Sequence, residues 1–438
     1  MRIIDVRRNS DGKRAIYDRI TGQRISDFFD EIGQNDRVIM ITGYYTARKG
    51  KKWAVFNIDG KQISNWYDRI VLQQGEDESI NYYIAMKYGK WALFDLTGKR
   101  ISDFFDFISL YGLLRGESNY YIARNGKQFA IYDKDGRRIS EWFDEIKPEG
   151  LIQGKSEYFI AVKDRKNAVF DKDGKQISEW LDEIYIAGLI EGQSDYFIAR
   201  DRGLYAIFDK NGRQISKWLE WIDIHGLVKG ESDYFIASKS HNYAIFDKDG
   251  KQISKWFYAI EPYGLVEGKS EYYLAKNRDY NSVSGFKVAI FHKDGKRITK
   301  WFEDIEPDGL LNGESLYFIA NKGIKKAIFD INGNQISEWF NDIWKYGLVE
   351  GTSDYFIAVK DDKVVAVYHQ WGKASEDYEY DSKEFKKIKK NIHSIKFNEK
   401  MGKAELYDKY GKLLTELDFK PFKMHREEFL DYTKLLNI

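Results

Sequence analysis

The sequence contains no cysteine and only four prolines in 438 residues. The lack of cysteine excludes disulfide bonds, thiolate nucleophiles and cysteine-ligated zinc. No apolar run approaches the ~20 residues that a membrane-spanning helix needs, and the first residues lack the apolar segment of a secretory signal. A net charge of +1 gives no overall attraction to nucleic acid or anionic membrane. We therefore expect a cytoplasmic protein with no membrane partner.

Aromatic residues are abundant, at 16% of the chain, and there are 36 glycines. This composition suits short β-strands joined by glycine-containing turns. One segment also recurs almost unchanged: residues 168–180 (Ala-Val-Phe-Asp-Lys-Asp-Gly-Lys-Gln-Ile-Ser-Glu-Trp) return with few changes at 130–142. The sequence therefore has to be analysed first as a repeat.

The first alanine of this segment marks the register of the repeat. Its copies are Ala15, Ala54, Ala92, Ala130, Ala168, Ala206, Ala244, Ala289, Ala327, Ala366 and Ala404. Successive copies are about 38 residues apart, except where an insertion at 278–285 lengthens one interval. The spacing predicts about eleven units.

Each unit shows the same order of local signals. Residues 196–199 (Tyr-Phe-Ile-Ala) and 206–208 (Ala-Ile-Phe) read as strands, and residues 209–212 (Asp-Lys-Asn-Gly) read as a hairpin turn. Residues 213–216 then read as a third strand. We therefore predict three strands for every unit.

The end of the unit changes its hydrophobic period. Ile177, Trp180, Leu181 and Ile184 have the i, i+3, i+4, i+7 spacing of a helix, and Ser178 is placed to cap it. This piece is either a single helical turn or a bent fourth strand.

The strands are apolar on both faces, so each unit has to stack on its neighbours. Eleven units exceed the four to eight blades of an ordinary propeller. We predict an all-β tandem repeat stacked as an open curved or superhelical array, with one or two β-propellers as the alternative. The array should span 1–372, and 373–438 should hold a degenerate terminal repeat and a short C-terminal capping helix around 426–436.

Two stretches resemble the bacterial WG or KWG β-repeat family. They are 88–99 (Tyr-Gly-Lys-Trp-Ala-Leu-Phe-Asp-Leu-Thr-Gly-Lys), with Phe105, Asp106 and Ile108 downstream, and 50–57 (Gly-Lys-Lys-Trp-Ala-Val-Phe-Asn). The family's Gly after Trp is Ala here in every aligned unit, and that Trp occurs only as Trp53 and Trp91. The resemblance covers roughly residues 1–372. It implies a non-enzymatic β-repeat module and transfers no catalytic residues.

The turn 171–174 (Asp-Lys-Asp-Gly) has two carboxylates and a glycine, as calcium loops do. It lacks the later bidentate Glu, and His292 and His369 replace the first Asp in two copies. An Asx-capped hairpin turn is therefore expected, with no metal bound.

One aromatic position recurs in nine units and could form either the core layer or a ladder that stacks ligands. Its helical spacing with Ile and Phe favours the core. The row is Phe28, Trp66, Phe104, Trp142, Trp180, Trp218, Trp256, Trp301 and Trp339.

No enzyme motif or cofactor motif is present in the sequence. The six histidines are scattered, and carboxylate pairs such as Asp182–Glu183 recur in several units, which indicates a solvated rim rather than a unique active site. We therefore expect no catalytic residues and no cofactor.

Binding requires positions where the units differ, and the loop before each Gly-Leu pair differs most. It carries aromatic residues where loops are usually polar, which is typical of recognition surfaces. The candidate partner-binding residues are Tyr111, Tyr185, Tyr263, Trp344 and Tyr346. We expect a scaffold that binds a protein, with glycan binding or a purely structural spacer as alternatives. The basic stretch Lys383–Lys390 gives only weak grounds for a nucleic-acid partner.

Overall fold

A computed structural model of the chain describes residues 3–34, 36–75, 78–280, 282, 285–360, 364–379 and 382–421. These residues form eleven antiparallel sheets that follow one another along the chain. The predicted all-β tandem repeat is confirmed. The expected C-terminal helix lies outside the described residues.

Most sheets contain one short strand followed by a hairpin of two six-residue strands. Sheet 1 contains Ile4–Arg8 and Arg14–Asp18; sheet 2 Glu31–Ile32, Tyr44–Lys49 and Lys52–Asn57; sheet 3 Arg69–Leu72, Tyr82–Lys87 and Lys90–Asp95; sheet 4 Phe107–Ile108, Tyr120–Asn125 and Gln128–Asp133; sheet 5 Glu145–Ile146, Tyr158–Lys163 and Lys166–Asp171; sheet 6 Glu183–Ile184, Tyr196–Asp201 and Leu204–Asp209.

The remaining sheets follow the same plan, and sheet 10 is the largest. Sheet 7 contains Trp221–Ile222, Tyr234–Lys239 and Asn242–Asp247; sheet 8 Ala259–Glu261, Tyr272–Arg278 and Phe286–His292; sheet 9 Asp304–Ile305, Tyr317–Lys322 and Lys325–Asp330; sheet 10 Asp342–Trp344, Tyr355–Lys360, Val364–His369, Gly372–Lys373 and Tyr378–Glu379; sheet 11 Ser394–Asn398, Lys403–Tyr407 and Leu413–Asp418.

Helices are short. Helix α1 spans Asp36–Thr42, helix α2 spans Ser382–Asn391, and Gly112–Arg115 forms a 3₁₀ turn. Within the described ranges, no helix is long and apolar enough to cross a membrane. The chain divides into two compact units, Met1–Trp218 with sheets 1–6 and Leu219–Ile438 with sheets 7–11.

Sheet 6 shows why the central hairpin forms. Its two long strands are joined by Arg202 and Gly203, whose φ angles are +50° and +82°. Positive φ at both central residues is characteristic of the type I′ turn, whose twist matches that of the flanking strands. Asp182 accepts a hydrogen bond from the backbone N–H of Arg202 at 2.7 Å, which holds the turn in place.

The segment that follows each hairpin is a bent strand and not a helical turn. In sheet 5, Gln176 pairs with Phe170 and Leu181 pairs with Asn167, both antiparallel. Between these bridges, the Oγ of Ser178 accepts a hydrogen bond from the N–H of Val169 at 2.9 Å. Ser178 therefore completes the ladder of the sheet instead of capping a helix, so the second of the two alternatives is correct.

In nine sheets, the core contains the same three residues, Ile-Ala-Ala, paired across the three neighbouring strands. In sheet 6, Ile184 pairs with Ala199, and Ala199 pairs with Ala206; all three are buried. Small alanines at the centre leave room for the larger side chains of the neighbouring sheet, such as Ile160 and Val169 of sheet 5. Stacking of successive sheets thus buries a surface that one sheet alone cannot cover.

Glycine allows this close approach between sheets. Gly212 has a φ of +81°, and a Cβ placed on it would lie 2.0 Å from the carbonyl oxygen of Ile177 in the preceding repeat. Only a residue without a side chain fits there.

Candidate protein-binding surface

In each of the nine sheets with the Ile-Ala-Ala line, a second set of three paired residues lies next to this line. The residues of this second set differ from sheet to sheet. In sheet 6 this set pairs Glu183 with Arg200, and Arg200 with Tyr205. We call these trios the variable row. They are Glu31, Arg48 and Trp53; Arg69, Met86 and Trp91; Phe107, Arg124 and Phe129; Glu145, Val162 and Asn167; Glu183, Arg200 and Tyr205; Trp221, Ser238 and Tyr243; Ala259, Lys276 and Val288; Asp304, Asn321 and Lys326; Asp342, Val359 and Val365.

Arginine and aromatic rings meet in the variable row of sheet 4. The guanidinium carbon of Arg124 lies 5.8 Å from the ring centre of Phe107 and 5.9 Å from that of Phe129. Phe107 is 42% exposed. The Nε of Arg124 is buried without a hydrogen-bond acceptor among the described residues. The trio therefore combines a guanidinium group with two aromatic rings, one of which is exposed.

Other trios contain a different chemistry. In sheet 2, Arg48 binds Glu31 at 3.2 Å and lies 5.8 Å from the ring centre of Trp53. In sheet 6, Arg200 forms an ion pair with Glu183 at 2.9 Å. Charge and shape thus change from sheet to sheet on an otherwise constant framework.

In unit 2, Lys326 and Asp342 of the variable row belong to a partly buried ion network. Lys326 binds Glu306 at 2.6 Å and Asp342 at 3.0 Å, and Lys389 of α2 binds Asp342 at 2.7 Å. Burial alone would lower the pKa of Lys326, but its two carboxylate partners outweigh burial and raise that pKa. Burial raises the pKa of Glu306. These contacts hold α2 against the sheets and occupy one lysine of the basic stretch.

The five predicted binding residues differ in their exposure and in their contacts. Tyr111 is 41% exposed, with the guanidinium carbon of Arg115 4.4 Å from its ring centre, and Tyr263 is 36% exposed. Tyr185 is half-buried, with its ring centre 6.0 Å from that of Tyr205 in the variable row. Burial, followed by the hydrogen bond with Tyr205, raises the pKa of Tyr185 to about 12.

Trp344 and Tyr346 require a correction. Trp344 is only 8% exposed and belongs to a core cluster with Leu406 and Leu417 of sheet 11, and Tyr346 packs against the same cluster. The terminal sheet covers this loop, so an aromatic that looked exposed in the sequence is part of the core. The prediction that Trp344 is available to a partner is wrong.

The recurring aromatic row also differs from the prediction. Its members lie at the edge of the core, and Trp256 is 37% exposed. The following residue is the buried one: Phe143 is 2% exposed, and its ring centre lies 5.0 Å from that of Phe170. Trp180 packs against Phe143 at 6.1 Å from outside.

The recurring acidic turns are hairpin caps. Asp171 accepts hydrogen bonds at one oxygen, Oδ1, from the N–H groups of Asp173 and Lys175, at 3.0 and 2.9 Å. This is the predicted Asx turn. Over the part of the chain that the structure describes, no group of three His, Asp or Glu side chains could hold a metal ion.

The carboxylate pairs likewise have a structural role. The acid at the first position of the pair, which a second carboxylate follows in sheets 2, 5, 6 and 9, caps the hairpin turn about twenty residues later in sheets 2–7 and 9. In each case the carboxylate accepts a hydrogen bond from a backbone N–H of the turn. The pairs of acid and donor are Asp30 with Gly50, Asp68 with Tyr88, Asp106 with Gly126, Asp144 with Asp164, Asp182 with Arg202, Glu220 with His241, and Glu303 with Gly323. Sequence reasoning assigned these acids to a solvated rim because the twenty-residue separation hides the contact.

The variable row was also missed, although a signal was present. The residue immediately before each repeat-marking alanine changes from Trp53 to Asn167 to Lys326, while the alanine stays. Its partners come from earlier strands and meet it only through strand pairing, as Arg200 and Glu183 meet Tyr205.

Comparison with protein-family models and with curated proteins finds no match. Among solved structures, a eukaryotic initiation factor aligns with 77% of this chain and 96% of its own, at 9% identity and a TM-score of 0.28. Hsv2 of Kluyveromyces lactis aligns with 69% of this chain and 96% of its own, at 10% identity and a TM-score of 0.24. Hsv2 of Kluyveromyces marxianus aligns with 56% and 93%, at 13% identity and a TM-score of 0.22.

Proposed function

We propose that this protein is a non-enzymatic repeat scaffold for protein–protein recognition, and that its partner contacts the variable row. The observation that carries the proposal is the trio of sheet 4, where Phe107 and Phe129 flank Arg124. Aromatic residues and arginine are the side chains that most often dominate binding energy in protein interfaces.

The contrast between framework and row supports the same proposal. Stacking requires the same residues in every sheet, as in the Ile-Ala-Ala line. Recognition of a particular partner requires residues that differ from sheet to sheet, as in the variable row. The resemblance to WG-type repeats fits this division, and we propose that the chain is a divergent array of that type. The absence of cysteine fits a reducing compartment, and we propose the cytoplasm.

Partner capture from the native host tests this function. The intact chain serves as bait, and captured proteins are identified by mass spectrometry. A variant with Phe107→Ser, Arg124→Ser and Phe129→Ser removes the trio of sheet 4, and Lys127→Ser with Lys134→Ser is the matched control on exposed positions of that sheet. Circular dichroism confirms that both variants fold.

We expect the trio variant to lose a partner that the parent and the control retain, because interface anchors commonly contribute about 2 kcal/mol or more. A second variant, Tyr111→Ser with Tyr263→Ser, tests the exposed loop residues separately. If the trio variant captures everything that the parent captures, the variable row of sheet 4 is not the binding surface. If the parent captures no specific protein, the function is wrong.

Glycan binding is the second candidate, and the half-exposed tryptophan row favours it. Cations already occupy part of this row: Arg138 lies 5.9 Å from the ring centre of Trp142, and Arg297 lies 5.9 Å from that of Trp301. Trp256 has no such neighbour within the described ranges. A glycan array with the parent and Trp256→Ala decides between the two functions, since only glycan binding predicts a signal that Trp256→Ala abolishes.

A further inference from the structure

Sheet 8 departs from sheets 2–7 and 9 at the position of the capping acid. Sheets 2–7 and 9 have Asp or Glu there, whereas sheet 8 has Tyr258. The insertion also lies in the hairpin of sheet 8. The first long strand of this hairpin ends at Arg278, and the second begins at Phe286. The two differences coincide in space: the guanidinium carbon of Arg278 lies 4.6 Å from the ring centre of Tyr258, and Phe286 stacks on that ring at 5.0 Å.

A cleft of about 520 Å³ opens beside this pair. Its lining includes Tyr258, Arg278, His241 and Tyr243. Trp221, which is 40% exposed, packs edge-on against Tyr243 at 5.8 Å and extends the aromatic wall. The cleft therefore combines aromatic surface with a guanidinium group, at a position where the repeat elsewhere has a carboxylate.

Within the described ranges, the carboxylates around the cleft pair with other cations and leave the charge of Arg278 without a counter-ion. Lys276 is paired with Glu261 at 2.6 Å, and Lys287 is paired with Asp279. Arg278 forms no ion pair with any residue that the structure describes, although its guanidinium group is hydrogen-bonded to the side chains of Tyr280 and Tyr258. Glu220 accepts a hydrogen bond from the backbone N–H of His241 at 3.4 Å. Lys239 is exposed on the strand that leads to His241.

We propose that this cleft binds an acidic side chain of a protein partner, with the carboxylate on Arg278 and the adjoining apolar surface of the partner against Tyr258, Tyr243 and Trp221. A guanidinium group binds a carboxylate through two parallel hydrogen bonds and stacks on aromatic rings at the same time. The inference rests on the proposed function and names the chemistry of the partner.

A nucleic acid suits the site less well. Binding a polyanion requires several cations along a path. Here the neighbouring lysines Lys276 and Lys287 are paired with Glu261 and Asp279. One guanidinium flanked by rings suits a single carboxylate on an otherwise apolar segment.

Panning a phage-displayed library of random dodecapeptides on the immobilised full chain tests the inference. Arg278→Met removes the charge and keeps the length of the side chain. Tyr258→Asp restores the acid that other sheets have and supplies Arg278 with an internal carboxylate. Arg297→Met is the matched control, because Arg297 is also exposed and lies 5.9 Å from the ring centre of Trp301, near the opposite end of the strand Phe286–His292.

We expect enriched peptides to contain Asp or Glu next to an apolar residue. Synthetic copies should bind Arg278→Met and Tyr258→Asp about tenfold or more weakly than the parent and Arg297→Met, since a charged hydrogen-bonded pair is lost. Replacing the acid of the peptide by its amide should weaken binding to the parent by a similar factor.

Other outcomes overturn the inference. Peptides that bind all four proteins equally show that peptide recognition lies elsewhere, so the inference fails while the proposed function stands. An oligonucleotide is tested in the same binding assay. If the parent binds it more tightly than the peptides, the cleft is assigned to nucleic acid. The absence of any enriched peptide also contradicts the inference, and partner capture from the host then decides the proposed function independently.

Discussion

The hydroxyl of Ser178 accepts a hydrogen bond from the backbone N–H of Val169 at 2.9 Å, nine residues earlier in the chain. The same hydroxyl donates to the carbonyl of Glu179 at 2.9 Å. Sheets 1–10 each have this contact, with Thr299 in place of Ser in sheet 8. A side chain therefore completes the ladder where the outermost strand bends away.

This contact predicts that Ser178→Ala destabilises the protein. Val169 is fully buried, so its N–H would remain without an acceptor, which costs about 1–3 kcal/mol of unfolding free energy. Ser178→Thr is the control because Thr299 makes the same bond to Ile290 at 3.0 Å. Urea unfolding followed by circular dichroism measures both variants. Equal unfolding midpoints for Ala and Thr would show that the hydroxyl contributes nothing.

A buried tyrosine hydroxyl predicts a stabilising substitution. Tyr273 is fully buried, and its hydroxyl has no hydrogen-bond partner among the described residues. Phe235 and Phe318 occupy the same position in sheets 7 and 9. We expect Tyr273→Phe to raise the unfolding free energy by about 1 kcal/mol, because an unsatisfied polar group is removed from the core.

The reciprocal substitution is the matched control for Tyr273→Phe. Phe235→Tyr places a hydroxyl in the corresponding buried site of sheet 7 and should lower stability by about 1–3 kcal/mol. Thermal unfolding by calorimetry compares the two variants with the parent. A loss of stability in Tyr273→Phe would mean that the hydroxyl binds a partner, such as a buried water.

Phe143 is more deeply buried than Trp180, so replacing each by alanine should lower the unfolding free energy by different amounts. Phe143 is 2% exposed and lies between two sheets, so Phe143→Ala should cost about 3–5 kcal/mol. Trp180 packs against it from the edge and is half-buried, so Trp180→Ala should cost only about 1–2 kcal/mol. Urea unfolding gives both values. A larger loss of unfolding free energy in Trp180→Ala than in Phe143→Ala would show that the tryptophan row forms the centre of the core.

The sequence predicts the local features of this fold well. Asp171 binds the N–H groups of Asp173 and Lys175, so the chemistry of the turn lies within one short segment. The alternation of strand and turn, repeated at a nearly constant spacing, predicts the tandem sheets directly. Local signals of this kind need no knowledge of tertiary contacts.

The features that the sequence did not predict depend on distant contacts. Ile177, Trp180, Leu181 and Ile184 have helical spacing, but the bond from Ser178 to Val169 bends this segment along the sheet instead. Burial of Trp344 depends on sheet 11, whose first strand begins only at Ser394. Members of the variable row meet only once the register of the strands is known.

The carboxylate caps predict that stability falls in acid. The ammonium group of Lys166, followed by the backbone N–H of Arg202, lowers the pKa of Asp182 below its usual value. The pKa of Asp106 is lowered first by the N–H of Gly126. Near pH 4 the unfolded chain therefore binds more protons than the native protein, so stability rises with pH in that range.

We accordingly expect the urea midpoint to change little between pH 8 and pH 6 and to decrease as the pH falls through 4 toward the native pKa values. Asp182→Asn should be less stable than the parent at pH 7, and the difference should shrink in acid, where the parent's carboxylate is protonated as well. Asp173→Asn is the control: it removes the same charge from an exposed turn position whose side chain forms no hydrogen bond to any described residue. Urea unfolding at each pH measures the three proteins. A difference between Asp182→Asn and the parent that is constant from pH 7 to pH 3 would show that the cap does not depend on the ionised carboxylate.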